Sequence, residues 1–214
     1  MAFLVLDKGL VMWKNILVTG GHGRLGVELQ KHLKAQYPTH EQFDVTRFWE
    51  RPVCDLVVHM ASYTNVDEAE FEREHCINTN VGGTQRMLDW FKAIPFVFIS
   101  SEHADFPGVY FQSKKIGELL VKSLARHYLI IRTLFKPNPW PWDYAFKDQM
   151  TQGDYVDVIA PLIAKEIRDW DGESKSVLVG TGRKSMLELA KRTKPNVVPN
   201  SVNDLDLKRP HDYL

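Results

Sequence analysis

Cysteine is scarce in this chain, and charge imbalance, internal repeats and long apolar runs are missing altogether. The only cysteines, Cys54 and Cys76, lack metal-ligand spacing, and Cys54 adjoins a strand-like apolar run. They read as reduced core thiols, and no metal site is expected. Lys plus Arg equals Asp plus Glu at 27 each, so the net charge is zero. With no basic run either, a nucleic-acid partner is excluded as an expectation. No apolar stretch is long enough to cross a membrane. Phe3 to Leu6 is too short for a signal-peptide core, and no basic residue precedes it. The expectation is a soluble, cytoplasmic protein.

What is present is a 214-residue chain with 44% hydrophobic residues, enough for one domain with a substantial core and a small appendage. Its organising stretch is Asn15 to Gly26. Ile16, Leu17 and Val18 form a short apolar run, as a strand buried on both faces would. The run breaks at Gly20-Gly21, and helical spacing follows through Leu25, Leu29, His32 and Leu33. The glycines fit G-x-G-x-x-G as Gly21, Gly23 and Gly26, and G-x-x-G-x-x-G as Gly20, Gly23 and Gly26. Between a strand and a helix, such a turn points to a dinucleotide. Its glycines let backbone approach a pyrophosphate, which sits on the free N–H groups at the helix start.

Downstream, apolar runs and helical spacings alternate. Strands are expected at Leu56–Met60, Phe96–Ile99, Leu129–Ile131 and Ser176–Val179. Helices are expected after Asp67, over Asn80–Phe91, from near Tyr110, over Tyr155–Trp170 and over Lys184–Lys191. Ile116, Leu119, Leu120, Ser123 and Leu124 mark the expected buried face of the helix near Tyr110. A full second strand hardly fits Tyr37 to Thr46, because Pro38 and polar residues interrupt it. The alternation implies an α/β fold, a Rossmann-type doubly wound parallel sheet. Residues 1–14 are expected to be an extension, with Met12 an alternative start. Residues 15–136 are expected to form the dinucleotide-binding core with the catalytic residues. Residues 137–214 are expected to complete the sheet and to build a small, reduced substrate-binding cap. The tail from Thr193 shows no clear period.

The candidate chemistry lies at three positions. Tyr110 and Lys114 are four apart, so a helix presents both on one face. Ser101 follows a strand, where open parallel sheets place ligands. An ammonium near a phenol is expected to lower its pKa from about 10 toward neutrality. The tyrosine can then exchange a proton with an alcohol or ketone oxygen that the serine holds while hydride moves.

These stretches resemble the extended short-chain dehydrogenases/reductases, and most of all the dTDP-4-dehydrorhamnose reductase family. The matching segments are Val18 to Gly26, Phe43 to Thr46, Ala61 to Glu70, Asn80 to Thr84, Phe98 to Ser101, Tyr110 to Lys114 and Tyr155 to Ala160. They run in family order from residue 15 to about 160. The resemblance implies that Gly20, Gly23 and Gly26 cradle the pyrophosphate, with Arg24 and Leu25 in the same turn. It implies that Asp44 and Val45 meet the adenine and that Ala61 and Ser62 line the cofactor. Ser101, Tyr110 and Lys114 become the catalytic triad, with Lys114 also on the nicotinamide ribose. Asn80 matches a family asparagine whose role is either structural or catalytic, and Asp67 and Glu70 are explained equally well by a solvated helix face.

The chain departs from the family in three places. The segment between serine and tyrosine is only Glu102 to Val109, the C-terminal pocket region is reduced, and the strand that selects between NAD and NADP is nearly absent. Trp140 and Trp142 read as a cap on the core rather than a stack for a base. The implied function is an NAD(P)-dependent oxidoreductase transferring hydride to a keto group, of a nucleoside-diphosphate 4-keto-6-deoxysugar, as in deoxysugar biosynthesis. The alternatives are a cofactor-binding regulatory subunit, or an epimerase or dehydratase on the same scaffold. Glu41 is the only carboxylate between Tyr37 and Phe43. Arg24 lies close in sequence to where a 2′-phosphate would fall and could supply a charge-assisted contact, a solvated first-turn arginine being the equal alternative, so NADP(H) is expected over NAD(H) by a small margin. The partners expected are a nucleotide sugar and, on family grounds, a second copy of the chain.

Overall fold

The computed structural model describes residues 13–47 and 50–204, and the N-terminal extension up to residue 12 and the tail from 205 lie outside the described residues. The apolar runs become strands β1 (Ile16–Thr19), β2 (Leu56–His59), β3 (Phe96–Ser101) and β4 (Tyr128–Thr133). With β9 (Lys175–Leu178) they form one parallel sheet in the order β1-β2-β3-β4-β9. The interrupted second strand shrinks to a single parallel bridge between Gln36 and Leu17.

Because side chains alternate across a strand, the two faces of the sheet feed two separate cores. Ile16, Val18, Val58, Val97, Ile99, Leu129 and Ile131 pack under α1 (Arg24–Leu29) and α5 (Val156–Asp169). Leu17, Val57, Phe96, Phe98 and Ile130 pack against Met87 and Leu88 of α3 (Gly83–Trp90) and Val121 of α4 (Val109–Leu124). Each such side chain, fully buried, contributes about 1.5–3 kcal/mol, which is why strands without any polar alternation are stable here. The sheet is doubly wound, as the alternation implies.

Several elements differ from their sequence pattern. α1 ends at Leu29, so the expected helical run to Leu33 continues only as turns, although Leu33 stays buried. The acidic stretch forms a 3-10 turn at Glu68–Glu70, then the short helix α2 (Arg73–Ile77) and a π turn at Asn78–Gly82 leading into α3. The buried face of α4 is not the expected one. It buries Phe111, Ser113, Lys114, Gly117, Glu118 and Val121, whereas Ile116, Leu119 and Leu124 stand 39%, 53% and 46% exposed. The polar residues on the buried face have partners there, and these partners override the apolar pattern.

After β4 the chain builds a small lobe from strand pairs too short to show a period. β5 (Phe135–Lys136) pairs with β8 (Asp154–Tyr155), β7 (Met150–Thr151) with β10 (Lys184–Ser185), and β6 (Tyr144–Phe146) with β11 (Val198–Asn200). α6 (Met186–Lys191) opens on a capping box between Ser185 and Glu188. Trp140, Ala145, Tyr155, Met186, Leu189 and Val197 form the lobe's own core. Trp140 is therefore the cap the sequence suggests, its Nε1–H donating to the Tyr144 carbonyl, while Trp142 lies at the surface with the Lys136 ammonium 5.3 Å from its ring centre. Among the described residues no helix is long and apolar enough to cross a membrane.

Candidate functional site

The site lies at the C-terminal edge of the sheet, where β1, β2 and β3 end side by side. Gly20 and Ser101 leave strands two places apart, about 10 Å at the usual strand spacing. Gly20 has φ of +70°, and a Cβ there would lie 2.7 Å from the Ala61 nitrogen, so only glycine turns here against the end of β2. At Gly26 a Cβ would lie 2.2 Å from the Gly21 carbonyl oxygen, and the glycine lets α1 close on its own turn. Gly23 N–H donates to the Gly20 carbonyl, and the first helical bond runs from Val27 N–H to the Gly23 carbonyl. No side chain caps α1. Its first N–H groups, at Arg24, Leu25 and Gly26, have no intrahelical acceptor, as at any helix start. The left-handed residue is Gly20, which selects the spelling Gly20, Gly23, Gly26.

Asp44 and Val45 are already engaged with the protein. The Asp44 carboxylate accepts from Thr46 N–H at 2.8 Å and Thr46 Oγ1–H at 2.7 Å and pairs with Arg47 at 3.2 Å. Burial pulls its pKa upward, but the Thr46 bonds, with His40 and Arg47, hold it below the usual carboxylate range. Val45 is buried beneath α3, where a Cβ on Gly83 would come within 2.9 Å of it. Ala61 N–H donates to Thr19 Oγ1, and Ser62 Oγ–H donates to Asn80 Oδ1.

Asn80 has a structural role in this arrangement. Its Oδ1 also accepts Tyr63 N–H, and its Nδ2 donates to the Tyr63 carbonyl and to Ser113 Oγ at 2.8 Å. Ser113 in turn donates to the Tyr110 carbonyl at 2.6 Å. A second buried run reaches Asn80 from the glycine turn. Thr84 Oγ1 donates to the Asn80 carbonyl at 2.6 Å, so it accepts from His59 Nε2–H. Thr19 Oγ1 accepts from the N–H groups of Met60 and Ala61, so its own hydrogen goes to His59 Nδ1 at 2.8 Å. These donors fix His59 as the neutral Nε2–H tautomer. Burial, with the nearby Lys114 charge, pushes its pKa down to about 3. Neither His59 nor Thr84 was evident from periodicity; a histidine inside an all-apolar strand was the one available signal.

Tyr110 is the second residue of α4 and Lys114 stands one turn later, as their spacing requires. Glu70 positions this helix: its Oε1 accepts Val109 N–H at 2.7 Å, capping a helix whose own N-cap, Gly108, offers no side chain. From the other side, the buried Glu118 carboxylate accepts Ser100 Oγ–H and two N–H groups of Arg132, whose remaining arm reaches Asp105 in the serine-to-tyrosine loop. Lys115 also holds Asp105. Glu102, next to Ser101, accepts from Thr151 Oγ1 at 2.5 Å and from Gln152 N–H at 2.6 Å, which ties the C-terminal lobe to the end of β3.

Of the three chemical groups Ser101 and Lys114 are buried and Tyr110 is half-buried. Ser101 is buried, and its Oγ accepts His103 N–H at 3.2 Å, so the hydroxyl hydrogen is left to donate elsewhere. Lys114 is 4% exposed, its ammonium 4.6 Å from the centre of the Phe98 ring. Burial lowers its pKa to about 8, against the pull of Glu118. Burial, seconded by Cys76, pushes Tyr110 up to about 12, so here the phenol is not drawn toward neutrality as the Tyr–Lys spacing suggests. Tyr110 packs beside Cys76 and Ala69. At neutral pH it holds its proton.

Residues 14–108 match the family described as the RmlD substrate binding domain. The spore coat polysaccharide biosynthesis protein SpsK of Bacillus subtilis is 29% identical over 147 residues, 55% of this chain and 52% of that protein. The match thus spans about half the length of the curated relative. The dTDP-4-dehydrorhamnose reductase of Bacillus anthracis, solved with NADP, superposes with a TM-score of 0.77 at 22% identity, covering 94% of this chain and 89% of that one. The orthologue from Clostridium acetobutylicum gives 0.77 at 20% identity, covering 94% and 88%. In sequence the chain matches the RmlD substrate binding domain over residues 14–108, and in fold it resembles the solved dTDP-4-dehydrorhamnose reductases.

Proposed function

We propose that the chain is an NADP(H)-preferring reductase that delivers hydride to a keto group of a nucleoside-diphosphate 4-keto-6-deoxysugar. The observation that carries this reading is the shared sheet edge. β1, which leads into a glycine turn whose positive φ and uncapped helix start suit a pyrophosphate, and β3, which carries Ser101, end at that edge, while Tyr110 and Lys114 stand one turn apart on α4, with the Lys114 ammonium over Phe98 of β3. The nicotinamide, when bound, supplies the hydride. Ser101 Oγ–H donates to the keto oxygen, its hydrogen being uncommitted while its oxygen accepts His103 N–H. Tyr110 is protonated at neutral pH and gives its proton to the same oxygen as the carbon is reduced. Lys114, with its pKa near 8, is largely an ammonium at pH 7 and offsets the phenolate that remains.

The test is NADPH oxidation by the purified protein with a panel of keto-sugar nucleotides. Tyr110→Phe is expected to lower turnover by about 10²–10⁴-fold while NADPH affinity holds, since it removes only the proton donor. Unchanged turnover in Tyr110→Phe would refute the mechanism. No oxidation across the panel, with NADPH still bound, would favour a cofactor-binding regulatory subunit instead.

A further inference from the structure

His103 contributes no side-chain atom to the site described above, and its environment is anomalous. It is 3% exposed, and both ring nitrogens are buried without a hydrogen-bond partner. A neutral imidazole has one donor and one acceptor, and leaving either unpaired away from water is unfavourable. Neighbouring buried polar groups such as His59, Asn80, Glu102 and Glu118 are all bonded. The fold therefore spends stability at His103 alone among these groups, which is the pattern of a group kept for a ligand.

Its place in the chain says which part of a ligand it meets. His103 follows Ser101 by two residues, and its main-chain N–H is the donor that occupies Ser101 Oγ. Its ring stands edge-on to Phe111, the neighbour of Tyr110 in the first turn of α4. Glu102 on one side and Lys136 of β5 on the other are its charged neighbours. Burial keeps the ring neutral, the Lys136 charge acting in the same direction against Glu102. His103 is thus tied through its main chain to Ser101 and neighbours Lys136, which belongs to the lobe.

Resting on the reductase reading, we infer that His103 is a substrate-binding residue, its ring hydrogen-bonding a hydroxyl on a carbon next to the one reduced. Ser101 and Tyr110 suffice for the keto oxygen itself. A sugar hydroxyl both donates and accepts, and it fits a ring with one N–H and one bare nitrogen. A keto sugar with an oxygen at that position is preferred over its deoxy analogue, because the analogue would leave the imidazole unpaired.

The experiment pairs His103→Phe with His103→Asn. In the free protein His103→Phe removes two unpaired polar atoms and keeps the edge-on contact with Phe111. Its melting temperature is expected to match or exceed that of the wild type, and kcat/KM for the keto-sugar nucleotide is expected to fall about tenfold to a hundredfold. NADPH affinity should be unchanged. His103→Asn, which restores a donor and an acceptor, should recover part of the loss. A His103→Phe protein markedly less stable than wild type would show that the ring is satisfied in the free state and overturn the inference. So would equal kcat/KM in wild type and His103→Phe, and that result leaves the reductase reading standing. If the wild type neither binds nor reduces any keto-sugar nucleotide, the reductase reading fails first and the role of His103 fails with it.

Discussion

Acidification should loosen this protein through one histidine, and the size of the effect follows from the bonds around it. His59 is locked as a neutral ring because Thr19 donates to Nδ1 and Thr84 accepts from Nε2. A second proton on Nδ1 would face the Thr19 hydroxyl hydrogen, whose oxygen is already filled by Met60 and Ala61 N–H. The folded pKa of about 3 lies below the ordinary histidine value of 6.5. The unfolded chain therefore binds the extra proton first. The stabilisation is complete above pH 6.5 and is lost progressively as the pH falls toward 3. At about 1.4 kcal/mol per pH unit at most, His59 alone removes about 2–3 kcal/mol between neutral pH and pH 4.5. Urea unfolding at pH 7.5, 5.5 and 4.5 measures this, with His59→Gln as the reference that cannot titrate. The wild type should lose about 2–3 kcal/mol more than the variant over that range. Parallel loss in the two proteins would refute the reasoning. So would a His59 ring resonance that titrates between pH 5 and 8 in the folded wild type.

Two further predictions concern cofactor and assembly. Arg24→Ala should weaken NADPH binding by about 1.5–3 kcal/mol through loss of a charge-assisted bond and leave NADH affinity unchanged; equal dissociation constants for NADPH before and after the change would remove the basis for NADP preference. The outward residues Ile116 and Leu119 of α4 suit a two-fold contact between copies, and Leu119→Glu should weaken a dimer at least about tenfold in sedimentation velocity, whereas a wild type that stays monomeric at tens of micromolar overturns the assembly.

Strands buried on both faces were legible because nothing polar interrupts them, and the glycine turn announced itself between β1 and α1. α4 misled for the opposite reason. It buries Ser113, Lys114 and Glu118 against Asn80, the Phe98 ring and Arg132, while three of its large apolar residues face outward. Hydrophobic periodicity cannot register a helix oriented by ion pairs and amide bonds to distant residues. The two- and three-residue strands of the lobe were invisible for want of length, and Pro199 sits inside one of them, β11. Glu70 illustrates the same limit at one residue. On its own segment it is a plausible solvated acid, and only the tertiary fold brings it to the N-terminus of α4.

The carboxylate of Glu102 gives the lobe a fixed datum. One residue from the serine that would grip the reacting oxygen, it clasps Thr151 and Gln152 and so pins the lobe's inner edge to the end of β3. Loops around that edge can shorten, lengthen or change composition without shifting the alignment between whatever the lobe holds and the hydroxyl of Ser101. A pared-down lobe of this kind is a natural acceptor for grafted loops. New walls can be added to it, and the distance from wall to reacting centre is set before the first of them is chosen.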